Sequence, residues 1–238
     1  MLGWGCGHLL ESLPFRAMGA WFTRGWLQHL ALGSLVGIVT LSVAVAITFV
    51  PGAERFETGH ESAATVLFSL ASSLLVFASG AAFEEAFFRG YLLQTFARSG
   101  LAWLAIAGTS VFFGIVHLGN PNASLISTVN TVLAGLWFSI AHLKTRDLWF
   151  VWGIHMMWNW TQGSIFGIEV SGLTGISKAP LLHEIDLGPA WLTGLNYGIE
   201  GGIGCTIAIV LSTVALLALP FPKPDPELLT MTVKPSGS

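Results

Sequence analysis

Glu84, Glu85 and Arg89, in the run FEEAFFRG, follow 22 residues (62–83) without a single Asp, Glu, Lys or Arg. Other polar groups fall inside apolar runs: His117 in FFGIVH, His142 in SIAHLK, and His155 with Asn159 in HMMWN. An ionisable side chain in such a helix costs a few kcal/mol or more, so each is a candidate for function. A carboxylate beside an imidazole in a low-dielectric cavity can polarise a water and take its proton. A second imidazole and an amide on one helix face can donate hydrogen bonds to a developing oxyanion. Together these are the requirements of amide-bond hydrolysis. Glu84, His117 and His155 would equally serve as ligands to a divalent metal, such as zinc, that activates the water. The residues by themselves leave both readings open.

Spacing sorts these groups. Glu85 and Arg89 stand four apart, so they share a helix face and read as a structural ion pair. Glu84 points about 100° away from Glu85. His155 and Asn159 are also i and i+4, facing one cavity, and Phe113 at the same spacing from His117 sets an aromatic wall beside its imidazole. Glu84 and His117 are nearly equidistant from the turn at Ser99 and Gly100, which predicts similar depth. His155 lies only about 10 Å from the start of its helix. Either the Glu84 helix overhangs the bilayer, or the His155 helix begins below the interface. His142 is expected at the interface, and His29 and Glu200, near helix ends, are expected to reach the headgroups. His60 and His183 read as solvated loop residues, and Trp149, Trp152 and Trp158 as interfacial-belt or packing residues.

The elements that must hold these residues are membrane helices. The 238-residue chain is 53% hydrophobic and 10% charged, with mean hydropathy +0.70, whereas a soluble domain is about 25% charged. The sequence predicts an all-α, polytopic transmembrane bundle of six helices forming a single domain over 1–238, with its core motifs at 84–159. The spans are placed at about 29–50, 63–97, 101–118, 123–142, 148–166 and 199–220. The second would be roughly 50 Å long, which predicts a break near Gly80 or projection into the cytosol. The PGAERFETGHES segment reads as a loop. Arg16, Arg24, Arg98, Lys144, Arg146, Lys223 and Lys234 fall on one side and only Arg55 and Lys178 on the other. That bias orients both ends to the cytoplasm, making 1–28 a cytoplasmic or interfacial segment and 221–238 a cytoplasmic tail. The N-terminus lacks the pattern of a cleaved signal, so the first apolar run is expected to be retained. A net charge of −3 excludes a nucleic-acid footprint, and Cys6 and Cys205 make no metal spacing.

Other intramembrane hydrolases fail by absence. Asp147, Asp186 and Asp225 all lie in predicted loops or the tail, which leaves no aspartyl pair in a span. HESAA and HEIDL lack the second histidine of a zinc helix, and no span holds a G-x-S-x-G elbow.

With EEAFFRG matching E-E-x-x-x-R, FGIVH matching F-x-x-x-H and HMMWN matching H-x-x-x-N, all in family order, the central third of the chain resembles the CAAX protease and bacteriocin-processing (CPBP, or ABI) family. The resemblance implies an intramembrane endopeptidase acting on a membrane-associated protein or peptide. It makes Glu84 the base that activates water with His117, and His155 with Asn159 the oxyanion hole. Glu85, Arg89 and Phe113 would be supporting. The family is often described as metalloprotease, but the same set suits a metal-free glutamate mechanism, the reading preferred here. A non-catalytic scaffold or immunity protein, and less so a proton-coupled transporter, are the alternatives. The expected location is a prokaryotic plasma membrane.

Overall fold

The computed structural model describes residues 8–9 and 14–232. Cys6, Lys234 and parts of the two terminal segments lie outside the described residues. The chain is mostly helical. α1 (Trp26–Phe49) is 24 residues long, enough at 1.5 Å per residue to cross a hydrocarbon core of about 30 Å. α2 (Ala63–Glu85) starts at Ser62, whose Oγ accepts the Thr65 N–H at 3.2 Å. α4 (Ala102–Val116), α5 (Leu125–Thr145) and α6 (Leu148–Trp160) follow the short α3 (Gln94–Arg98). After the single-turn α7 (Ala190–Thr193) come α8 (Ile203–Ala218) and α9 (Pro226–Thr232). Ser124 and Ser127 form a reciprocal capping box on α5, and Asp147 caps α6 through the Phe150 N–H.

Trp26–Phe49, Ala63–Arg98 and Leu125–Thr145 are long and apolar enough to cross a membrane, while α4 and α8 are shorter apolar helices. The outward face of α2 presents Leu67, Phe68, Leu75 and Phe83, a surface that suits lipid and not water.

Three expectations change. α2 does not break at Gly80. It runs on through a π-helical stretch, Ala86–Leu93, into α3, giving one continuous helical segment over Ala63–Arg98. A second π stretch, Thr161–Ile165, follows α6. The segment after α1 is not only loop: β1 (Glu54–Glu57) pairs antiparallel with β2 (His183–Asp186), which draws His183 into a strand.

Close helix contact explains why the bundle holds α6 so firmly. A Cβ on Gly33 would collide with the Phe150 carbonyl and one on Gly37 with the Ile154 carbonyl, while one on Gly153 would come within 2.6 Å of the Leu30 oxygen. α1 and α6 therefore meet backbone to backbone, as small residues four apart allow. Substituting Gly37 by Val forces these backbones apart. The expected cost is about 3 kcal/mol or more, read as a fall in thermal midpoint of detergent-purified protein.

Both described chain ends gather at one end of the bundle. Arg16 pairs with Glu227 at 2.8 Å, Leu148 N–H donates to the Gly19 carbonyl at 3.0 Å, and Asp225 N–H to the Thr145 carbonyl at 2.9 Å. The β1–β2 sheet lies at the far end of α1.

Candidate active site

A cavity of about 490 Å³ opens inside the bundle, and Glu84, His117, His155 and Asn159 all line it, from α2, the C-cap of α4, and α6. Glu85 and Arg89 sit behind it. Arg89 is fully buried, donates from Nη1 to Glu85 Oε1 at 3.2 Å and from Nη2 to the Gly135 carbonyl at 3.1 Å. Its guanidinium lies 4.8 Å from the Phe113 ring centroid and 5.2 Å from that of Phe138, a cation–π setting that partly replaces lost hydration. The expected Glu85–Arg89 pair is present, but it does more than brace one helix. Glu85 Oε1 also accepts from His155 Nδ1 at 2.8 Å, tying α2 to α6.

That bond fixes a tautomer. A carboxylate held beside an arginine only accepts, so His155 Nδ1 carries the proton and Nε2 faces the cavity. Nε2 lies 3.9 Å from Glu84 Oε2. The imidazole is held flat against Phe138, with centroids 4.7 Å apart. His117 follows the same logic: its Nδ1 donates to the Phe113 carbonyl at 2.7 Å, and its ring packs on Phe113 at 4.6 Å. Glu84 differs from its neighbour Glu85. Its side chain is 33% exposed, and its buried Oε2 has no donor.

His155 and Glu84 do meet at one level, Nε2 to Oε2 at 3.9 Å. Asp147 is fully buried and hydrogen-bonded to His29 Nδ1. The first turn of α6 is thus enclosed by the protein. His29 accordingly faces inward and not toward headgroups. His142 is not interfacial either: it is fully buried, and its Nδ1 donates to the Asp147 carbonyl at 3.0 Å. Glu200 also turns inward, accepting from Ser171 N–H at 2.6 Å and Ser171 Oγ at 2.8 Å, and from Trp158 Nε1 at 3.2 Å. It lines the cavity with Asn130. Neither Asn130 nor Glu200 stands out as a site residue in the sequence, and the only signal was a carboxyl at the mouth of an apolar run. Trp158 is a packing residue, Trp149 donates to the Trp21 carbonyl and Trp152 to that of Ala78, while His60 is exposed as expected.

A metal is tested by the donor set. Both imidazoles offer Nε2 with Nδ1 already donating to an oxygen, as zinc-bound histidines usually do. The positions fit less well. Tetrahedral zinc, with bonds near 2.0–2.2 Å, needs ligand atoms roughly 3.5 Å apart. Among the described residues, the one group of three such side chains with ligand atoms within 4.8 Å of one another is Glu54, Glu184 and Asp186, not Glu84, His117 and His155. The cavity set as arranged does not close around an ion, so no step is derived through one.

Protein YyaK of Bacillus subtilis (strain 168), itself uncharacterized, is 23% identical over 158 residues, covering 64% of this chain and 52% of YyaK. The chain therefore spans about half the length of that relative. No solved structure matches. Residues 65–161 match the family model described as type II CAAX prenyl endopeptidase Rce1-like. The matched segment starts in the first turn of α2 and ends just past α6. It is thus the part of the chain that builds the Glu84, His117, His155 and Asn159 wall that matches the Rce1-like family of type II CAAX prenyl endopeptidases.

Proposed function

We propose that the protein is an intramembrane endopeptidase that hydrolyses a peptide bond of a membrane-associated protein or peptide, with Glu84 as general base. The observation that carries this reading is the Glu84 carboxylate, a partly exposed side chain that lines the cavity 3.9 Å from the His155 Nε2. A water beside Glu84 gives its proton to the carboxylate, while the His117 Nε2 lone pair accepts its second hydrogen and aims the oxygen. The water oxygen bonds to the scissile carbonyl carbon as negative charge moves to the carbonyl oxygen. The Asn159 amide donates to that oxygen. His155 joins only when Nε2 also carries a proton, because Nδ1 is already committed to Glu85. Protonated Glu84 then delivers its proton to the leaving nitrogen as the C–N bond breaks. Six spans with both ends cytoplasmic, in a prokaryotic plasma membrane, complete the proposal.

The experiment is cleavage of fluorogenic C-terminal peptides, prenylated and unprenylated, by detergent-purified protein. Glu84→Gln should be inactive, and a strong chelator should leave wild-type activity unchanged. Chelator-sensitive cleavage would overturn the metal-free mechanism. Identical behaviour of wild type and Glu84→Gln would favour a non-catalytic scaffold.

A further inference from the structure

Three carboxylates converge on the small sheet, at the end of the bundle away from the Arg16–Glu227 pair. Glu54 pairs with Asp186 and Phe56 with Glu184, and alternate strand residues share a face. Glu54, Glu184 and Asp186 therefore project from the same face. One carboxylate oxygen of each lies within 4.8 Å of the other two. Glu54 is 0% exposed; its Oε2 accepts from Thr48 Oγ1 at 2.7 Å, while Oε1 is buried without a donor. Glu184 Oε1 and Asp186 Oδ1 are likewise buried with no donor. Arg55 is exposed on the opposite face of the strand. His183, next to Glu184, is paired with Glu61 at 3.7 Å. Among the described residues, no lysine or arginine forms an ion pair with any of the three.

Buried like charges without a counter-ion are unfavourable, and only protons or a cation can relieve them. An all-oxygen donor set with no thiolate or imidazole suits a hard ion and not a soft one. We infer that Glu54, Glu184 and Asp186 form a binding site for a hard divalent cation of the calcium type, which clamps the β2 segment onto the end of α1.

The test is the thermal midpoint of chelator-stripped, detergent-purified full chain, with CaCl₂ or MgCl₂ at about 1 mM. Calcium should raise the midpoint by about 5 °C. Glu184→Gln and Asp186→Asn should each remove the calcium shift. No shift in the wild type, or an equal shift retained in both variants, overturns the site. An equal magnesium shift overturns the calcium preference. The readout is independent of peptide cleavage, so failure here leaves the peptidase proposal standing.

Discussion

Glu84→Gln should lower the rate of peptide hydrolysis by about 10²- to 10⁴-fold, the range expected when a positioned general base is removed. The amide has nearly the same shape but no basic oxygen with which to take a proton from water. Its expected effect on the fold is small. Glu84 Oε2 has no donor to lose, and the nearest ionisable partner, His155 Nε2, is 3.9 Å away. The thermal midpoint should therefore stay close to wild type while turnover collapses. That pattern separates a base from a brace, because a brace would lose both together. Combining Glu84→Gln with His155→Ala should add little further loss, since groups that act as a unit are not additive. Turnover by Glu84→Gln equal to wild type, at equal protein stability, would remove Glu84 from the chemistry.

The pairing of Glu85 with Arg89 and the sharing of a face by His155 and Asn159 were legible in the sequence, because a helix fixes which residues lie four apart. The level meeting of Glu84 and His155 was not. Spacing along one helix carries no information about a neighbour's depth. The same limit hid His142 and Glu200, both of which periodicity assigned to helix ends that turn out to be enclosed. Gly33 and Gly37, four apart in α1, carried a readable packing signal for the α6 contact. The π turns after Glu85 and after Trp160 had no composition of their own, since they widen the helix without a proline or a glycine pair to mark them. The β1–β2 sheet joins residues more than a hundred positions apart in two polar segments, and short strands of mixed charge give no clear alternation.

Arg89→Met should be the most damaging single change to stability. The side chain is fully buried, and it supplies the only arginine or lysine contact to Glu85 among the described residues. Methionine can fill much of the volume, but it leaves the Glu85 carboxylate buried with one imidazole donor and strips a donor from the Gly135 carbonyl. Breaking a buried pair in this way costs about 3–5 kcal/mol, a fall of about 10 °C in midpoint for a chain of this size. Activity should fall as well, through Glu85 and the orientation of His155, with kcat reduced and KM little changed because Arg89 does not line the cavity. The double variant Arg89→Met, Glu85→Gln tests that chain of contacts. It removes the uncompensated charge, so most of the midpoint should return. A glutamine oxygen can still accept from His155 Nδ1, so kcat should recover in part alongside it. Arg89→Lys should rescue less, because an ammonium lacks the planar fork that reaches both Glu85 and the Gly135 carbonyl. If the midpoint returns in the double variant and kcat stays at the Arg89→Met level, Arg89 positions the site by a route other than Glu85.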